Sequence, residues 1–238
     1  MIQSEIKAFD FQKGEIMVFD KPLNWTSFDL VHKVRYVICK NLKIKKLKVG
    51  HAGTLDPKAT GVLILCTGKA TSLIQKLQSE EKEYIATLKI GATTPSYDME
   101  SSENKQFDTA HITENLFGEV LKQFIGTIEQ IPPEFSAIKI EGKRAYENAR
   151  KGIAIEIKSK TVEINDIEVL SFLLPQVKLR IVCGKGTYIR ALARDIGEAL
   201  SCGAYLTDLR RTRVGAYDIS QAIILDDFLK TRTKTTDI

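Results

Sequence analysis

Gly50-His51-Ala52-Gly53-Thr54-Leu55-Asp56-Pro57-Lys58-Ala59-Thr60-Gly61 is the stretch on which the reading of this chain turns. It sets one carboxylate, Asp56, in a glycine-punctuated turn between two apolar segments. A buried strand needs continuous apolar residues. Here Gly50, Gly53 and Gly61 relax the backbone around one His and one Asp, and Pro57 fixes the residue after the Asp. Such a segment displays a side chain. Turn chemistry alone also accommodates a structural role, because Asp-Pro and Gly-Thr are ordinary turn pairs.

Upstream of this turn, Lys40, Lys43, Lys45, Lys46 and Lys48 form a basic flank. Gly14 to Phe19 has the apolar character of a short strand, and Lys21-Pro22-Leu23-Asn24-Trp25 reads as a loop. Ser27 is the expected N-cap of a helix whose Leu30, Val31, Val34, Val37 and Ile38 recur on one face. Downstream, Thr60 to Thr67 is apolar enough for a buried strand or the start of a helix, and periodicity does not decide between them.

Further along, Glu83 to Ile90 alternates as a sheet strand does, with Tyr84, Ala86, Leu88 and Ile90 on one side. Ile112 to Phe124 has the spacing of an amphipathic helix. The segment Pro132-Pro133-Glu134-Phe135-Ser136-Ala137-Ile138-Lys139 is followed by Gly142-Lys143-Arg144-Ala145-Tyr146, with a short helix expected to end at Gly152. Val177, Leu179, Ile181 and Cys183 alternate up to Gly184-Lys185-Gly186, and a helix is expected from Thr187 with Gly203 just past its end. The Gly-rich turn brings Tyr188 and Arg190 to a sheet edge where a ligand can approach. Strands mixed with helices in this order predict an α+β fold around a large, mixed, mostly antiparallel sheet, flanked by helices and loops.

The 238 residues carry a formal charge of +5, with a second basic group at Lys185, Arg190, Arg194, Arg210, Arg211 and Arg213. Clusters of this kind suit a phosphate backbone, where each neutralised phosphate releases counterions. No apolar run approaches the length of a membrane span, and the N-terminus lacks a signal-peptide pattern, so a cytoplasmic protein is expected. Cys39, Cys66, Cys183 and Cys202 are far apart and read as reduced core residues. Three histidines assemble neither a zinc site nor, with the rest of the chain, a Walker-type loop, so no metal is expected.

The Gly50–Gly61 stretch resembles the catalytic motif of the TruB family of tRNA pseudouridine synthases, and Lys185-Gly186-Thr187-Tyr188-Ile189-Arg190 and the Pro132–Tyr146 segment resemble the same family. The resemblance runs from about Gly14 to Tyr217. It implies a pseudouridine synthase fold and an isomerase that converts the T-loop uridine of tRNA, standard position 55, into pseudouridine. It implies Asp56 as nucleophile, Arg190 as its partner, and Tyr84 against the target uracil, placed to help remove the C5 proton. His51 is implied to fill the gap left by the flipped base, Tyr188 to stack near that base, and Leu209 to make an apolar contact with it. Asp98 matches a loop that contacts the rearranged RNA.

The reaction so implied breaks the N1 glycosidic bond, rotates the uracil and joins C5 to C1′, either through a covalent Asp56 adduct or through a glycal. No cofactor is expected for such an isomerisation. Base flipping costs a few kcal/mol, offset by stacking and gap filling. Where relatives commonly carry Gly in Lys-Pro-x-Gly-x-Thr-Ser this chain has Asn24, which tolerates the left-handed conformation best after Gly. Relatives often continue into an RNA-binding PUA module, for which no room is expected in a sequence that ends at Ile238 soon after Asp226-Asp227-Phe228-Leu229. The expectation is one catalytic domain over residues 1–238 without a PUA domain, acting as a monomer on the tRNA T arm, with neither guide RNA nor membrane.

Overall fold

The computed structural model describes residues 9–136, 139–140, 143–144 and 157–233. In chain order its strands and helices are β1 (Ile16–Lys21), α1 (Ser27–Asn41), β2 (Val49–His51), β3 (Ala59–Thr67), α2 (Ile74–Ser79), β4 (Lys82–Ile90), β5 (Ala92–Thr93), β6 (Lys105–Gln106), α3 (Glu114–Lys122), β7 (Gly126–Gln130), β8 (Lys139–Ile140), β9 (Lys143–Arg144), β10 (Lys160–Leu173), β11 (Gln176–Cys183), α4 (Ile189–Ala199), β12 (Ala204–Val214), β13 (Tyr217–Asp218), β14 (Ile223–Ile224) and α5 (Leu225–Thr233). The chain divides into two compact units. One takes the residues up to Glu80 and those from Arg213 onward, and the other is Glu81–Thr212.

In the first unit, β3 settles the ambiguous apolar run as a strand. Seven of its nine residues from Gly61 onward are fully buried, which a strand covered on both faces requires. It lies antiparallel to β1, from Ile16 opposite Cys66 to Lys21 opposite Gly61, and to β2, where Val49 faces Thr67. On its other side β1 pairs in parallel with β14, Phe19 opposite Ile223. Val18, Ala52, Val62, Ile64, Cys66, Leu77 and Val214 close the core. Thr26, not Ser27, caps α1. Its hydroxyl accepts from the Asp29 amide while the Asp29 carboxylate accepts from the Thr26 amide, a capping box. Ser27 is instead a buried first-turn residue, free to bond elsewhere.

The second unit has the strand order β12-β4-β11-β10-β7. β4 and β11 are antiparallel over eight residue pairs, from Lys82 opposite Cys183 to Lys89 opposite Gln176. The expected alternation on β4 holds, with Tyr84, Ala86, Leu88 and Ile90 buried. β10 pairs with β11 and β7 and carries two register shifts, between Ile164 and Asp166 and between Val169 and Ser171. α3 is capped by Thr113, and its Phe117 ring lies 5.6 Å from Phe172 of β10. α4 starts two residues later than expected, with Tyr188 as its N-cap. Gly197 permits the close approach of β12, since a Cβ there would sit 2.1 Å from the Ala204 nitrogen. Helices thus flank strands that are mostly antiparallel among the described pairings, β1 and β14 being parallel, and the α+β class expected from the sequence is the one observed. The short helix expected to end at Gly152 lies outside the described residues.

Candidate active site

In the first unit, β2 delivers His51 into the turn, and the Ala52 amide still bonds the Ile64 carbonyl of β3 at 2.9 Å. The backbone then leaves the sheet through Gly53, whose φ of 102° is open to glycine at no cost. Leu55 is buried and clamped. Its amide donates to the Ser27 hydroxyl at 2.8 Å, and that hydroxyl donates to the Leu55 carbonyl at 3.1 Å. Asp56 follows, half-buried, and its carbonyl accepts from the Ala59 amide to close a turn over Pro57 and Lys58.

That turn is braced by the loop after β1. The Asn24 amide donates to the Pro57 carbonyl at 2.8 Å, and the Lys58 ammonium donates to Asn24 Oδ1 at 3.0 Å. Asn24 has φ 64°, the left-handed conformation its identity anticipated. Lys21, fully buried, donates through Nζ to the carbonyls of Pro22 and Trp25, so its charge is solvated by the loop it holds. Asp56 is therefore fixed by backbone on both sides.

In the second unit, β11 ends in the Gly184–Gly186 turn, with Gly186 at φ 89°. Tyr188 is half-buried, and Gln130 bonds both its backbone groups, its carbonyl also accepting from the Leu192 amide at 3.0 Å. The Tyr188 amide donates to Gln130 Oε1 at 2.8 Å, and Gln130 Nε2 donates to the Tyr188 carbonyl at 3.2 Å. Arg190 sits in the first turn of α4 and is only 4% exposed. Its guanidinium donates to the Phe135 carbonyl at 2.9 Å and the Ser96 carbonyl at 3.3 Å, and Nε lies 3.6 Å from Asp98 Oδ2. Asp98 is equally buried, in a loop tightened by the hydroxyls of Thr94 and Ser96, which both donate to its carbonyl. Tyr84 on β4 and Leu209 on β12 are buried on neighbouring strands.

The structure thus joins Arg190 to Asp98 and seats His51 and Asp56 on one loop. Lys21 and Gln130 were not singled out in the sequence, and Ser27 was singled out only as a helix cap. Lys21, read as the first residue of a loop, is instead the last residue of β1, and nothing near Gln130 announces its task. Among the described residues, no group of three His, Cys, Asp or Glu side chains is placed to hold a metal ion, and no helix is long and apolar enough to cross a membrane.

The arrangement of strands and helices is that of solved pseudouridine synthases. A chain in the crystal structure of a Cbf5-Nop10-Gar1 complex superposes with a TM-score of 0.68 at 32% identity, covering 92% of this chain and 54% of that one. A chain of an H/ACA RNP bound to a substrate RNA containing 2′-deoxyuridine gives 0.64 at 31% identity, covering 92% and 53%. This chain therefore spans about half the length of those two.

Residues 40–189 match the TruB family pseudouridylate synthase N-terminal domain, and residues 190–237 match the tRNA pseudouridylate synthase B C-terminal domain. The chain belongs to the TruB family of pseudouridylate synthases, which are isomerases. It is 59% identical over 219 residues to tRNA pseudouridine synthase B of Phocaeicola vulgatus, covering 92% of this chain and 93% of that protein. With the protein of the same name from Flavobacterium johnsoniae it shares 51% over 215 residues, covering 90% and 94%.

Proposed function

We propose that this protein isomerises the T-loop uridine at standard position 55 of tRNA to pseudouridine. The observation that carries the reading is the 59% identity to a tRNA pseudouridine synthase B over nearly the whole of both chains. In this reading the uridine leaves its stack, His51 fills the gap, and the base rests against Tyr84, Tyr188 and Leu209. Asp56 attacks C1′ of the ribose, or assists formation of a glycal, and the N1–C1′ bond breaks. The uracil turns, C5 bonds to C1′, Tyr84 helps remove the C5 proton, and N1 regains a proton. Atoms and electrons balance without an external reagent, and no cofactor is called for. Arg190 acts as the buried cation of the site, with Asp98 holding it.

The Cbf5 likeness favours a second reading, a catalytic subunit that works within an assembly. Its weight is lower, because this chain spans 54% of that one but 93% of the Phocaeicola vulgatus protein. The purified protein, incubated alone with an unmodified tRNA transcript and with one carrying cytidine at the target position, decides between them. Pseudouridine is mapped by carbodiimide primer extension with Asp56→Asn in parallel. Modification at that uridine alone, lost with Asp56→Asn, supports the proposal. No product from either RNA overturns it as a stand-alone activity.

A further inference from the structure

The first unit carries the basic flank that precedes the Asp56 loop. After α1 the chain turns back through Lys43, held at φ 53°, with the Ile44 amide bonded to the Cys39 carbonyl at 3.0 Å. Lys45–Lys48 then run beside the helix, and the two segments enclose a cleft of about 720 Å³ lined by His32, Arg35, Tyr36, Cys39 and Lys45 to Lys48. No carboxylate lines it. Lys13, Lys89, Lys122 and Lys230 each hold a carboxylate, whereas Lys45, Lys46 and Lys48 pair with none among the described residues. Three lysines and an arginine line this hollow with no acid among its lining residues, a positive surface that attracts an anionic ligand.

The aromatic side chains narrow its chemistry. Phe28, His32 and Tyr36 recur at four-residue spacing on the solvent face of α1; Phe28 and Tyr36 are 62% and 61% exposed, and the Phe28 and His32 rings lie 4.1 Å apart. Burial would suit such rings in a core, but these face water beside cations. Bases stack on exposed rings while lysines track the backbone, which is how proteins hold unpaired nucleic acid strands. The same chain leaves the cleft at Lys48, enters β2 and carries His51 and Asp56.

We propose that this cleft is a second RNA subsite, taking phosphodiesters on Arg35, Lys45, Lys46 and Lys48 and an unstacked base on Tyr36. The proposal deepens the tRNA reading above and rests on it for the identity of the RNA. The subsite adds affinity and leaves the chemical step untouched.

The test compares wild type, the triple variant Lys45→Ala/Lys46→Ala/Lys48→Ala, Tyr36→Ala and Tyr36→Phe, all checked for unchanged melting. Binding to a tRNA transcript is measured between about 50 and 300 mM KCl, followed by initial rates of pseudouridine formation. The triple variant is expected to flatten the slope of log Kd against log salt by about 2, three contacts at roughly 0.7 each. It raises KM and leaves kcat at saturating tRNA unchanged. Tyr36→Ala weakens binding roughly 5- to 100-fold and Tyr36→Phe, which keeps the ring, restores it. An unchanged slope in the triple variant, or a fall in kcat with unchanged Kd, overturns the proposal, the former assigning the cleft to another acidic partner. If wild type binds tRNA but makes no pseudouridine, the catalytic reading fails while the salt slopes still judge the cleft.

Discussion

The hydroxyl of Ser27 and the backbone of Leu55 exchange two hydrogen bonds, so the first turn of α1 grips the residue before Asp56 by both its amide and its carbonyl. Both Leu55 groups are buried, and Ser27→Ala leaves them without this partner. The expected loss is about 1 to 3 kcal/mol of stability per unsatisfied group. Urea denaturation reads that loss. Rate measurements with tRNA are expected to show kcat falling more than KM rises, because the variant loosens the position of Asp56 and leaves the RNA-facing surface alone.

Arg190 and Asp98 are 4% and 6% exposed at their side chains, which makes their pairing costly to break from one side. Arg190→Ala leaves the Asp98 carboxylate buried without this cation and is expected to cost about 3 to 5 kcal/mol. Arg190→Lys keeps a charge but loses the planar fork that reaches Phe135 and Ser96 together. It is expected to fold with a smaller penalty and still lose most activity. Equal activity in Arg190→Lys and wild type counts against a role for the guanidinium.

The cysteines separate by reactivity. Burial pushes the thiols of Cys66 and Cys183 up to about 11 and raises that of Cys202, whereas Cys39 is half-exposed on α1, contrary to the expectation that all four belong to the core. A thiol reagent applied to the native protein at about pH 8 is expected to label Cys39 alone. Cys39→Ser then abolishes native labelling, and denaturant exposes the other three.

Glu103 gives a pH signature. The Lys89 ammonium first, then the Tyr205 hydroxyl and the Gln106 amide, donate to its carboxylate and hold it at about 2, well below its ordinary 4.5. Its folded value is depressed, so its contribution to stability is full above 4.5 and is lost as the pH falls toward about 2. Carboxylate NMR is expected to find its midpoint near the lower value, and Lys89→Met to move that midpoint up. The stability gap between wild type and Glu103→Gln closes over the same window.

Much of the architecture was legible where one pattern ran undisturbed. β4 and β11 alternate cleanly, and α3 and α4 repeat at helical spacing. β10 escaped because its two register shifts each reset the alternation, so no single period runs through its length. β12 escaped because Arg210, Arg211 and Arg213 read as surface, yet Arg211 is only 1% exposed. The cap of α1 was misplaced by one residue because Thr26 and Ser27 are equally good caps, and only Asp29 at the third helical position selects Thr26. Within the site, glycines announced the Asp56 loop and the turn before Tyr188. The grips of Ser27 on Leu55 and Gln130 on Tyr188 span 28 and 58 residues, a distance over which local pattern is silent.

The unit that bears Asp56 is interrupted in the sequence by the whole of Glu81–Thr212. Its core needs Val214, and its strand β1 needs β14, where Phe19 meets Ile223. On the ribosome the segment with Asp56 emerges before Glu81–Thr212, and its sheet cannot close until β14 has followed. A chain cut before β14 therefore carries Asp56 on an unfinished sheet, because β1 lacks the neighbour that meets Phe19.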